Sequence, residues 1–145
     1  MTGANDSAGA YRQQQIMTAP PEQLTLMLYN GAIRFINESA AAIREKQIEK
    51  AHNANMRVQS ILRELMATLD MQYDIAKQLM SVYDYMEYRL QSANIKKDIS
   101  QLEEVRDLIT ELRDTWAEAI KKVQKERHAE NAIWQQSGST RDYVR

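Results

Sequence analysis

One pair of residues has the spacing of a metal-binding motif. Glu49 and His52 form a Glu-x-x-His sequence, which places a carboxylate and an imidazole on one face of a helix, as in the di-iron sites of helical bundles. Such a site needs a second copy of the motif and two more inward-facing glutamates. The other histidine, His128, belongs to no second copy. We therefore predict no metal and no cofactor, and a carboxylate-bridged metal bundle is the minor alternative.

The chain lacks the residues that several other catalytic chemistries need. The chain has no cysteine, which excludes zinc-thiolate sites, iron–sulfur clusters and thiol nucleophiles. It also has no Gly-x-Ser-x-Gly nucleophile elbow and no glycine-rich phosphate loop. The 19 Lys and Arg residues are balanced by 20 Asp and Glu residues, so nucleic acid is not expected as a primary partner. The sequence predicts a protein that is not an enzyme and has no catalytic residues.

The elements that position these residues are predicted to be helices. The 145 residues include only four Gly and two Pro, and none lies between Ala32 and Ser137. Because β and α/β folds need such residues at tight turns, this composition favours helices joined by short polar turns. Apolar residues recur at spacings of three and four in segments predicted as helices at 21–42, 48–70, 75–97 and 98–123. We predict an all-α, antiparallel up-down-up-down four-helix bundle.

The predicted apolar seams identify the core. In the second helix the seam starts at Ile48 and includes one polar residue, Asn55, which is either a satisfied or rim residue or one that fixes the register of the helices. In the third helix the seam includes Ile75, Leu79 and Met86. We expect truncation of these seam residues to destabilise the bundle.

The two ends of the chain differ from its middle. Residues 1–19 are predicted to form an N-terminal arm, residues 20–127 the four-helix bundle and residues 128–145 a flexible C-terminal tail. The first residues carry neither the basic segment nor the apolar run of a secretory signal. No stretch approaches the roughly 18 to 20 apolar residues of a membrane span. We expect a soluble, cytoplasmic protein without membrane insertion.

The apolar residues are too numerous for one stripe on each helix. Methionine adapts to irregular partners, and tyrosine offers rigid contact area with a polar tip. Each such residue taken alone is as readily a gap-filler or rim residue of the core. Taken together they predict a surface that receives an amphipathic helix. The residues of this predicted surface are Met27, Tyr29, Met66, Met80, Tyr83, Tyr85 and Tyr88.

Several short motifs, in order along the chain, resemble those of the flagellar secretion chaperone family, FliS. They are Tyr11 and the segments 17–32, 48–52, 69–71, 83–86, 93–98 and 112–116. The resemblance covers about residues 11–122. The chain departs from the family at Pro20, where members usually have a serine, and it lacks a Gly-Gly insertion that is often found between Tyr73 and Asp74.

The resemblance implies a function for this chain. Family members are small helical bundles that bind the disordered C-terminal segment of flagellin, prevent its premature polymerisation in the cytoplasm and present it to the flagellar type III export gate. Their N-terminal arm packs over the hydrophobic surface of the bundle, which implies the same role here for Tyr11, Ile16 and Met17. A chaperone or regulator for another flagellar export client is the alternative.

Overall fold

The structure of the chain is a computed structural model. It describes the backbone of residues 19–144 and the side chains of residues 19–136. This part of the chain contains four helices and no strand. The helices are α1 (Pro21–Arg44), α2 (Ile48–Ala67), α3 (Asp74–Lys96) and α4 (Ile99–Val144). The predicted all-α fold is confirmed, and each of the four predicted segments contains a helix.

Contacts between helices define the topology up to Arg113, where the first of two compact units ends. As residue numbers rise in one helix of each neighbouring pair, they fall in the other, so neighbours are antiparallel. The α1–α2 contacts join Ser39 to Ala51 and Gly31 to Ile61; the α2–α3 bonds join Asn55 to Leu90 and Arg63 to Glu87; the α1–α4 bonds join Arg44 to Glu103 and Asn30 to Arg113. The helices therefore run up, down, up and down, as in a four-helix bundle.

The core lies along one face of each helix. Its side chains are almost completely shielded from solvent, and its largest members are Tyr83, Ile36, Leu62, Leu65, Met86, Leu90, Leu102 and Ile109. Two predicted seam residues are exposed instead: Ile48 is 53% exposed and Ile75 is 62% exposed. Both lie in the first turn of their helices, so their side chains stand at the end of the apolar seam rather than within it.

A buried polar network joins α2 to α3. Asn55 donates a hydrogen bond from Nδ2 to the Leu90 carbonyl at 3.1 Å, and its Oδ1 accepts one from Gln59 Nε2 at 2.7 Å. Both side chains are buried. The bond from Asn55 spans the α2–α3 interface and so favours one axial alignment of these helices.

The helix ends follow the chemistry of their turns. Pro20 precedes α1 and offers no side-chain cap, but its carbonyl accepts bonds from the Gln23 and Leu24 N–H groups at 3.0 and 2.9 Å. Residues 68–73 connect α2 to α3. Asp98 precedes α4, and its Oδ1 accepts the Ser100 N–H at 2.9 Å, as an N-cap should.

The last helix is longer than the sequence predicts. The fading apolar stripe predicts the end of the bundle at residue 127 and a tail over 128–145, whereas α4 continues to Val144. Asp114 begins the second compact unit. The sequence interpretation relied on apolar periodicity, which reports packing, and an exposed stretch of helix does not show it. The flexibility of residues 128–145 stays a prediction.

Candidate functional site: an exposed stripe on helix α3

The candidate site begins with residues on the outer face of α3. Tyr88 and Ile95 are seven residues apart, close to two helical turns, so they lie on the same face, and Tyr85 is one turn before Tyr88. Their exposed fractions are 46% for Tyr85, 66% for Tyr88 and 84% for Ile95. We call these three residues the α3 stripe. It offers an apolar surface along about three turns of a helix whose other face is fixed in the core.

Tyr85 is held at the edge of this stripe by α4. Its hydroxyl donates a hydrogen bond to Glu104 Oε1, and Arg89 donates to Glu104 Oε2 at 3.1 Å. The bond from Tyr85, together with the positive charge of Arg89, lowers the pKa of Glu104. The same bond to a carboxylate raises the pKa of Tyr85. The ring is therefore fixed by its polar tip while its apolar face stays open to solvent.

Two tyrosines of the predicted surface lie in the core instead. Tyr29 and Tyr83 are 3% and 2% exposed, and their hydroxyl oxygens are 2.6 Å apart in a hydrogen bond between α1 and α3. Burial raises the pKa of both phenols. One hydroxyl donates and the other accepts, which offsets part of the cost of burying the two polar tips. The placement of Tyr29 and Tyr83 on the predicted surface is corrected: they are structural residues.

The three methionines of the predicted surface are neither fully buried nor fully exposed. Met27 on α1, Met66 on α2 and Met80 on α3 are half-buried. Met80 lies about 80° around the α3 axis from Tyr88, counting about 100° per residue, so it is outside the α3 stripe. The arm residues Tyr11, Ile16 and Met17 lie outside the described residues. Of the predicted surface, the structure places only Tyr85 and Tyr88 together on one open face.

Sequence reasoning missed Ile95. The residue is 84% exposed although it is one of the most apolar side chains of α3. Its spacing of seven from Tyr88 was a usable signal, because positions i and i+7 share a helix face. The position near the helix end concealed it, since an apolar residue in a last turn reads as part of the turn to the next helix.

The histidine of the Glu-x-x-His pair makes a hydrogen bond to α3. His52 Nδ1 accepts a hydrogen bond from Asn94 Nδ2 at 2.8 Å, which links α2 to α3. Within residues 19–136 no three His, Asp or Glu side chains are grouped so that they could hold a metal ion. No helix in the described part of the chain is long and apolar enough to cross a membrane.

Comparison with known proteins identifies the family. A family profile described as Flagellar protein FliS matches residues 4–123 of the chain. The chain is also 40% identical over 124 residues to the Flagellar secretion chaperone FliS of Bacillus subtilis (strain 168), covering 86% of this chain and 93% of that protein. The chain belongs to the FliS family. The resemblance seen in the sequence motifs is confirmed.

More distant relatives agree with this assignment. The Flagellar secretion chaperone FliS of Escherichia coli (strain K12) is 27% identical over 111 residues, covering 74% of this chain and 82% of that protein. A solved structure titled "Crystal structure of flagellar chaperone from bacteria" covers 82% of this chain and 98% of its own, with a TM-score of 0.67 and 18% identity. That structure supports the fold. FliS is a family of flagellar secretion chaperones and not of enzymes.

Proposed function

We propose that this FliS-family protein binds the C-terminal segment of flagellin in the cytoplasm, prevents its premature polymerisation and delivers it to the flagellar type III export apparatus. The observation that carries the proposal is the α3 stripe, whose Tyr88 and Ile95 are 66% and 84% exposed. A secretion chaperone needs a client protein, and large apolar side chains exposed along one helix face suit the binding of a protein segment.

The chemistry of the stripe suits an amphipathic helix as its ligand. A client segment that is disordered when free must gain enough apolar burial to offset the entropy lost on ordering. Tyr88 and Ile95 offer anchors on a rigid helix. Met27, Met66 and Met80 are half-buried elsewhere on the bundle and would offer further adaptable contacts to a client that wraps around it. A chaperone that covers the client's own assembly surface blocks polymerisation by occupying it, which requires no nucleotide hydrolysis.

We also propose a role for the N-terminal arm. Tyr11, Ile16 and Met17 would cover part of the client surface before flagellin binds and leave it when the client arrives. This exchange would keep exposed apolar area small in the free chaperone. Components of the export gate would then bind the complex of the chaperone with flagellin.

The test is calorimetric titration with the C-terminal segment of flagellin. Tyr88→Ala and Ile95→Ala should each weaken binding by about 1 to 2 kcal/mol, as expected for truncated anchors, and each should change stability by less than about 0.5 kcal/mol. Ile75→Ala is the matched control, because Ile75 is also exposed, at 62%, but lies on the opposite side of α3 and near its other end.

The three variants separate the possible outcomes. Weaker binding by Tyr88→Ala and Ile95→Ala, with normal binding by Ile75→Ala, supports the proposed surface. Unchanged binding by Tyr88→Ala and Ile95→Ala would mean that the client does not use the α3 stripe. If the wild-type chain does not bind this segment but co-purifies with another flagellar export protein, flagellin is not its client.

A further inference from the structure

A second surface lies on α4, starting where the region matched by the family profile ends. The family profile ends at residue 123, whereas α4 continues to Val144. Every side chain from 121 to 136 is exposed. Helices that pack against nothing are marginally stable in water, and most helices in proteins owe their stability to a buried face. This segment therefore has the features of a helix that acquires its packing from a partner.

Four residues form one face of this segment. Val123, Arg127, Glu130 and Trp134 follow one another at spacings of four, three and four, which is the spacing of a coiled-coil seam. Val123 is 41% exposed and Trp134 is 62% exposed. The seam thus has an apolar residue at each end and two opposite charges between them. We call these four residues the α4 seam.

We propose that the α4 seam pairs with the same seam of a second copy of this chain, in an antiparallel arrangement about a two-fold axis between residues 128 and 129. In that register Val123 lies opposite Trp134 of the second copy, and Arg127 lies opposite Glu130 of the second copy. The two-fold axis repeats both pairs. The seam is therefore self-complementary in both charge and apolar character, as an interface between identical subunits requires.

The charges select this orientation over the alternative. A parallel pair in register would place Arg127 opposite Arg127 and Glu130 opposite Glu130, so that both central contacts would repel. Arg127 already has an interaction within its own chain. Its guanidinium has five N–H donors, so it can also donate to a carboxylate of a second copy. Trp134 supplies the anchor, since tryptophan is enriched among the residues that dominate interface energies.

The size of the surface predicts a weak association. The exposed stretch 121–136 is about 24 Å long at about 1.5 Å per residue. It presents only a four-residue seam, whereas a stable interface uses about 20 to 30 residues on each side. We expect a concentration-dependent equilibrium between monomer and dimer that is independent of the α3 stripe.

The experiment uses charge reversal in the full-length chain and sedimentation equilibrium over a wide range of protein concentration. The wild-type chain should dimerise. Arg127→Glu and Glu130→Arg should each weaken self-association by at least roughly tenfold, because each places like charges opposite one another. An equimolar mixture of the two variants should restore the dimer, since every central contact then joins opposite charges. Trp134→Ala should weaken the dimer without affecting the bundle.

Lys125→Glu is the matched control. It makes the same kind of charge change in the same segment, but Lys125 is about 180° from Trp134 around the helix axis, so it should leave the dimer intact. Circular dichroism and thermal melting verify that each variant is folded. A wild-type chain that stays monomeric, a dimer that tolerates both charge reversals, or a mixture that fails to restore association would each overturn the proposal.

Discussion

At the scale of single residues, buried polar groups decide which contacts are structural. Asn55 and Gln59 are buried, and their side chains hydrogen-bond to each other. Asn55 also donates to the Leu90 carbonyl. Truncation of Asn55 would remove both bonds. The sequence identified Asn55 as the polar member of the α2 seam but left its role open. The bond to the Leu90 carbonyl makes it a residue that joins two helices, which the period of the seam alone could not show.

Asn55→Ala should lower the free energy of unfolding by about 1 to 3 kcal/mol. The substitution leaves Gln59 Nε2 without its partner, removes the side-chain donor to the Leu90 carbonyl and opens a small void. Asn53→Ala is the matched control on the same helix, because Asn53 is exposed, and it should cost less than about 0.5 kcal/mol. Urea denaturation measures both. Equal losses in the two variants would mean that the network does not contribute to stability.

The Tyr29–Tyr83 pair predicts a dependence of stability on alkaline pH. Burial raises the pKa of both phenols above the ordinary value of 10.0, so the unfolded chain ionises before the folded one. The stabilisation is fully present below pH 10 and is lost as the pH rises through the folded-state values. Replacing both residues by Phe should remove this share of the alkaline loss. Denaturation series at neutral and alkaline pH measure it, and an unchanged slope in the double variant would contradict the assignment.

At the scale of the elements, two turns contain lysines in a left-handed backbone conformation. Lys46 has φ 59° and Lys97 has φ 50°, a region that glycine adopts more easily than any other residue. Lys46→Gly should therefore stabilise the fold by up to about 1 kcal/mol. Lys50→Gly, within the first turn of α2, should destabilise it by a similar amount, about 0.5 to 1 kcal/mol. Thermal melting gives both signs, and a loss in Lys46→Gly would refute this reading of the turn.

The helices show how far a sequence can predict this fold. The apolar period of α3 correctly identified Met86 as core, because buried positions repeat along one helix face. The burial of Tyr83 was missed. Its partner, Tyr29, is 54 residues away, and no local pattern reports that two hydroxyls will satisfy each other across the bundle. Among the residues of the predicted client surface, Tyr88 is exposed as predicted, because it projects away from the apolar seam of α3.

At the scale of the whole molecule, the proposed client surface is separate from the residues that stabilise the bundle. The residues of the α3 stripe are exposed and lie outside the core, so we expect that they can be varied without unfolding the protein. Met86 is fully buried and lies on nearly the opposite side of α3 from Tyr88. Leu79, which the sequence also placed in the seam, is only half-buried. Met86→Ala should thus lose stability and binding together, whereas Tyr88→Ala should lose binding alone. This separation is what a chaperone needs if its client surface is to differ from its folding core.

The last prediction concerns the N-terminal arm. If Tyr11, Ile16 and Met17 cover the client surface, deletion of residues 1–17 should leave the helical circular dichroism unchanged and increase the fluorescence of a dye that binds apolar surface. The affinity for the flagellin segment should rise, because the client no longer has to displace the arm. A triple Ala variant of the three apolar arm residues is the matched control for chain length, and it should reproduce the effect of the deletion. If dye binding and affinity stay at the wild-type level in both variants, the arm does not cover the surface, and the proposed exchange between arm and client is wrong.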